Sequence, residues 1–86
     1  MRHFLWSLIR PTPLVYNLFH MKVTINGRQE TLEGEMTLSK LLAIKNIRPE
    51  IVAVERNRDI VDKALYKDTV VKENDILEIL HFIGGG

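Results

Sequence analysis

Met21-Lys22-Val23-Thr24-Ile25-Asn26-Gly27 alternates apolar and polar side chains and then turns. Met21, Val23 and Ile25 fall on one side and Lys22, Thr24 and Asn26 on the other, the period-2 pattern of a strand with a single buried face. Asn26-Gly27 supplies two residues that tolerate positive φ, as the tight primed turn of a β-hairpin requires. The returning strand, Arg28 to Glu33, is polar apart from Leu32, the composition of a sheet edge.

Beyond Gly34 the period changes. Thr37 is placed to accept a backbone N–H as a helix N-cap, and Leu38, Leu41 and Leu42 form one apolar stripe at i, i+3 and i+4. The helix is expected to end near Asn46, ahead of Arg48-Pro49. Ile51-Val52-Ala53-Val54 is a short β-branched run of the kind buried on both sides, closed by a charged turn, Glu55-Arg56-Asn57-Arg58. Ile60-Val61 reads as a brief pairing, Asp62 to Asp68 as a connection, Val70-Val71 as another short segment and Glu73-Asn74-Asp75 as a tight turn. Ile76 to Ile83 forms the last strand. An unpaired carboxylate at Glu78 belongs in water, which puts Ile76, Leu80 and Phe82 on the outer face and Leu77, Ile79 and His81 on the inner one.

That strand runs into Gly84-Gly85-Gly86, where the chain stops. At average glycine usage three in a row at one terminus arise by chance at roughly 3 in 10,000. Residues without Cβ atoms adopt almost any backbone conformation and pass through a channel too narrow for side chains. Such an end suits a chain whose own terminal carboxylate is a substrate; a frayed tail or an engineered scar has the same composition. The carboxylate, with a pKa of about 3.5, is an anion at neutral pH and a poor electrophile until it is activated.

Composition narrows the chemistry. Eighty-six residues make one small domain, which buries only about 60% of the surface of its unfolded chain. Twelve Lys and Arg against 11 Asp and Glu leave a net charge of +1, with no basic stripe for nucleic acid. There is no cysteine, hence no disulfide, thiolate metal site or thiol nucleophile. The sequence holds no P-loop and no Ser/His/Asp arrangement, and its three scattered histidines do not make a metal site. Residues 1–20 differ from the rest: they carry Arg2 and Arg10 but no acidic residue, and Pro11 and Pro13 follow a six-residue apolar run, Phe4 to Ile9, broken at Ser7. A secretory core of about 7–15 residues or a span of about 20 would be longer, so the chain is expected to be cytoplasmic, with no membrane partner. The segment reads as a disordered extension or a mispredicted start, with Met21 as the functional beginning; an apolar arm that docks on the domain or a partner is the first alternative and a short mitochondrial-type presequence the second.

Four stretches in this order, Val23 to Gly27, Thr37 to Leu42, Val52 to Asn57 and Asp75 to Gly86, resemble the ThiS family of sulfur carriers within the ubiquitin-like β-grasp superfamily. The resemblance spans Met21 to Gly86 and departs from the family pattern at Asn74, where relatives commonly place glycine. It implies an α+β β-grasp fold over residues 21–83, a mixed sheet of four to five strands packed on one helix, with a flexible tail at 84–86. It also implies a protein co-substrate rather than an enzyme. By that resemblance an E1-like adenylyltransferase would use ATP to adenylate the Gly86 carboxylate, and sulfur from a cysteine desulfurase-type donor system would convert it to a thiocarboxylate that feeds thiazole synthase. Gly84 and Gly85 then serve to thread the tail, Ile76, Leu80 and Phe82 to dock the partner, and no metal or cofactor is bound. A molybdopterin-type sulfur carrier and a ubiquitin-like protein modifier share this tail chemistry, and a purely noncovalent adaptor is the remaining alternative. Because the patterned segment begins at Met21, a chain starting there should keep its thermal midpoint within a few degrees; a loss near 10 °C, more than about 1 kcal/mol for a domain of this size, would show that residues 1–20 pack on the domain.

Overall fold

The hairpin turn opens the architecture as its sequence requires. In the computed structural model, which describes residues 20–82, Asn26 and Gly27 have φ of 50° and 82°. They join β1 (Met21–Ile25) to β2 (Arg28–Leu32), paired antiparallel with Ile25 opposite Arg28. A two-residue strand β3 (Met36–Thr37) leads into helix α1 (Leu38–Ile44). The Thr37 hydroxyl accepts the Lys40 N–H at 3.1 Å and so satisfies one of the amides the first turn leaves open. At the other end Asn46 takes a φ of 59°. The Asn46 and Ile47 N–H groups donate back to the Ala43 and Leu42 carbonyls, the paired bonds of a Schellman stop.

A short 3-10 turn (Pro49–Ile51) precedes β4 (Val52–Arg56), β5 (Asp59–Ile60) follows, and a second 3-10 turn (Lys63–Leu65) leads to β6 (Val70–Val71) and β7 (Ile76–His81). Five strands form one mixed sheet in the order β2-β1-β7-β4-β5, with β1 and β7 parallel and the other neighbours antiparallel. The edge position of β2 agrees with its polar sequence. One sheet face packs on α1: Leu38, Leu41 and Leu42 meet Val23, Ile25, Val52, Val54, Leu77 and Ile79 in a single core. No helix among the described residues is long and apolar enough to cross a membrane.

Four details differ from the sequence reading. The run 51–54 is not buried on both sides: Val52 and Val54 are buried, whereas Ala53 lies on the face away from the helix and is only partly covered. Glu55 and Arg56 continue β4, and the turn is only Asn57-Arg58, both with positive φ. Met36-Thr37, unassigned as a strand, pairs antiparallel with Val70-Val71 in a separate two-stranded sheet. Tyr66, inside the presumed connection, is a core residue at 3% exposure, and burial pushes its pKa up.

Asp75 ties these parts together. It is 5% exposed, and its carboxylate accepts from the Lys72 N–H at 2.8 Å, the Arg56 guanidinium at 2.8 Å and the Asn57 amide at 3.1 Å. Asn57 in turn accepts the Ile76 N–H at 2.9 Å, and the Asp75 carbonyl accepts the Thr24 N–H at 2.9 Å. Burial alone would raise the Asp75 pKa, but the Lys72 N–H, Arg56 and Asn57 outweigh it and hold the carboxyl below its ordinary value. The unfolded carboxyl titrates near 3.9, so its stabilising contribution is complete above about pH 4 and is lost as pH falls through the lower folded value. Asp75→Asn should cost about 1.5–3 kcal/mol at pH 7, a fall of roughly 6–24 °C in thermal midpoint, and the gap from wild type should narrow below about pH 4. A gap unchanged down to pH 2 would remove the carboxylate from this role.

Candidate functional site

The last strand sets the geometry of the C-terminal side of the molecule. Within β7, Leu77 and Ile79 are 0% and 4% exposed against the helix, while Ile76, Leu80 and Phe82 are 52%, 47% and 52% exposed on the opposite face. This alternation follows from the strand period: with the inner positions taken by the core, Ile76, Leu80 and Phe82 fall on the sheet face away from α1. Leu80 lies opposite Ala53 of β4, whose small side chain leaves Leu80 standing clear of the sheet. Ile60 of the edge strand β5, 74% exposed, extends the apolar surface sideways.

Phe82 is the last described residue, and it is held. Its N–H donates to the Ile51 carbonyl at 2.9 Å, continuing the β4–β7 ladder, and the Lys63 ammonium lies 5.3 Å from its ring centroid, within cation–π range. The chain is therefore fixed to within two residues of Gly84. Ile83 and the three glycines read from sequence as threading and reactive residues lie outside the described residues.

On the helix side of the same sheet end, Asn26, Arg28, Glu30, Lys45, Ile79 and His81 line a basin of about 300 Å³. Its floor is built by an unusual exchange. The Asn26 side chain accepts the Ile79 N–H at 2.7 Å and donates to the Ile79 carbonyl at 3.3 Å, standing in for the backbone of a strand that has already turned away. Lys45 and Glu30 close one wall with hydrogen bonds of 2.8 and 3.0 Å. His81 keeps the phase of Leu77 and Ile79, yet it is exposed because α1 does not reach it. No group of three or more metal-ligating side chains occurs among the described residues. The sequence reading missed the second role of Asn26: an amide side chain carries the same donor and acceptor as a peptide group, but its place beside Ile79, 53 residues away, is set only by the fold.

Comparison with known proteins gives these features a context. The family model described as "ThiS family" matches residues 23–86. The chain is 44% identical over 66 residues to a thiazole synthase of Magnetococcus marinus, covering 77% of this chain and 20% of that protein. It thus spans about a fifth of the length of that relative and of a second thiazole synthase, from Paramagnetospirillum magneticum. It is 42% identical over 63 residues to the sulfur carrier protein ThiS of Bacillus subtilis, covering 72% of this chain and 96% of that protein. Among solved structures, the thiamine biosynthesis protein (ThiS) from Geobacter metallireducens superposes with a TM-score of 0.66 at 36% identity, covering 77% of this chain and all of that one.

The exposure of Phe82 has a direct consequence for stability. Phe82→Ala should change the folding free energy by less than about 1 kcal/mol, whereas Leu77→Ala should cost about 2–5 kcal/mol. Thermal or urea unfolding of the two variants side by side tests this, and a Phe82→Ala loss of about 3 kcal/mol or more would place its ring in the core.

Proposed function

The chain belongs to the ThiS family, and we propose that it is a sulfur carrier of thiamine biosynthesis, a protein co-substrate rather than a catalyst, whose reactive group is the Gly86 carboxylate. The observation that carries this reading is the reach of the family match, which runs through the three terminal glycines. Similarity over 96% of the length of the Bacillus carrier supports it. The names of the relatives favour the thiamine branch over a molybdopterin-type carrier or a protein modifier, and similarity to one part of proteins named thiazole synthase favours that enzyme as the sulfur acceptor.

In this function an E1-like adenylyltransferase joins the Gly86 carboxylate to the α-phosphorus of ATP and releases pyrophosphate. A persulfide on a sulfur donor system of the cysteine desulfurase type then attacks the acyl carbon and displaces AMP, and a thiol reduces the resulting acyl disulfide, itself oxidised to a disulfide, to leave a thiocarboxylate for transfer to thiazole synthase. The carrier binds no cofactor of its own, and ATP belongs to the partner's site. Its setting is the cytoplasm, where these partners work.

The division of labour between body and tail follows from energetics. Fully extended, residues 83–86 reach about 13 Å beyond Phe82. Ordering the three glycines costs about 3–6 kcal/mol, and their lack of side chains leaves only backbone hydrogen bonds to offset it inside a channel. Docking of the folded body supplies the remainder, with Leu80 and Phe82 offering apolar surface next to the tail and Ile76 extending it to the far end of β7.

Removing Gly86, or adding one residue after it, should abolish adenylation by the cognate adenylyltransferase and ATP without lowering the thermal midpoint. Pyrophosphate release and intact mass report the two steps, the second as one oxygen replaced by sulfur. Adenylation of the extended chain at the wild-type rate would end the carrier reading.

A further inference from the structure

Two carboxylates oppose one another in the middle of the exposed sheet face. Glu55 of β4 and Glu78 of β7 are register partners. The flanking bonds from Asn57 N–H to the Ile76 carbonyl at 2.8 Å and from Phe82 N–H to the Ile51 carbonyl at 2.9 Å set the phase of the ladder. That phase makes Glu55 and Glu78 a hydrogen-bonded pair, with Cα atoms about 5.5 Å apart and side chains leaving the sheet on the same side. Both are partly buried, and neither side chain takes a hydrogen bond or ion pair from any described residue. Three described cations are engaged with other carboxylates, Arg56 with Asp75, Lys45 with Glu30 and Lys72 with Glu35, and Lys63, beside the Phe82 ring, donates to the Glu50 carbonyl.

Like charges directly opposed on a sheet destabilise it, so the free chain gains nothing from this pair. Its surroundings strengthen the effect. Leu80 and Phe82 lie on the tail side, Ile76 lies two residues before Glu78, and Ile60 is the other cross-strand neighbour of Glu55. Apolar neighbours displace water from around the carboxylates, and a charge there interacts more strongly than one scattered in solvent.

We propose that this face receives a surface of the tail-activating partner that presents a cation, an arginine guanidinium above all, between Glu55 and Glu78, with apolar side chains around it covering Leu80, Phe82, Ile76 and Ile60. The inference rests on the carrier reading and adds the chemistry by which the partner is chosen. A guanidinium carries five N–H donors in a planar fork, enough for two carboxylates at once. Seating it cancels the repulsion only in the complex. The same pair rejects a partner that offers an apolar or acidic group at that point, so it discriminates by what it repels as well as by what it attracts. The competing occupant is the chain's own segment 1–20, with Arg2, Arg10 and no acid.

The test is the double variant Glu55→Gln, Glu78→Gln, made both in the full chain and in a chain beginning at Met21, and titrated calorimetrically against the adenylyltransferase of the same organism. Relief of the repulsion should raise the thermal midpoint of the free protein by about 2–6 °C in both chains. Affinity for the enzyme should fall about tenfold or more at low salt, and its salt dependence should flatten. Phe82→Ala should weaken binding while leaving the salt dependence as it was. Unchanged affinity of the double variant, with the wild type adenylated normally, overturns the inference and leaves the carrier reading standing. A midpoint that falls in the full chain but rises in the chain from Met21 also overturns it, by assigning the face to residues 1–20. A wild type that the enzyme does not adenylate rejects the carrier reading, and this inference with it.

Discussion

The carboxylate of Asp75 is the point from which the sheet is organised. It sits at the entry to β7 and gathers a backbone amide from its own turn, a guanidinium from the end of β4 and an amide from the β4–β5 turn, while its carbonyl takes an amide from β1. Three strands that are distant in sequence are thereby brought to one level, and with the level fixed the register of β7 follows on both sides. Nearly every other feature described above depends on that register: which β7 side chains enter the core, which stand in solvent, and which residue of β4 faces each of them. Arg58, held at a φ of 77° next to Asn57, shows the strength of the arrangement, since a residue with a long side chain occupies the left-handed region only where its surroundings outweigh the cost.

Much of this was legible in the sequence where local physics decides the outcome. The alternation in Met21–Ile25, the Asn26-Gly27 turn, the Thr37 cap and the leucine stripe each report on contacts within a few residues, and each appears where expected. What was hidden depends on partners far along the chain. Met36-Thr37 is too short to show a period and becomes a strand only because Val70-Val71 lies beside it. Tyr66 follows Ala64-Leu65 with no period to mark it, and although Leu65 is exposed it is Tyr66 that joins the core of sheet and helix. Asp75 looks like any acid in a turn until Arg56 and Asn57 arrive from nineteen and eighteen residues away.

The candidate site divides along the same line. The solvent phase of Ile76, Leu80 and Phe82 could be inferred from Glu78 alone, because a strand has only two faces. The facing of Glu78 by Glu55 could not, since it needs the β4–β7 register. The basin floored by Asn26 and Ile79 was equally hidden: a side chain that substitutes for a backbone leaves no periodic trace.

The central place of β7 also bears on how the molecule comes into being. Thr24 and Ile76, parallel partners in the middle of the sheet, are 52 positions apart in sequence, and pairing of such distant segments is slow to form and late to complete. A nascent chain that has not yet delivered β7 holds β1–β2 and β4–β5 as two hairpins with nothing between them, and an isolated hairpin is marginal in water. The body therefore cannot close until the residues adjoining the glycines have been made. Folding in this molecule certifies synthesis: a chain interrupted early is left open to proteolysis, and the chains that survive to meet a partner are those whose last strand has arrived.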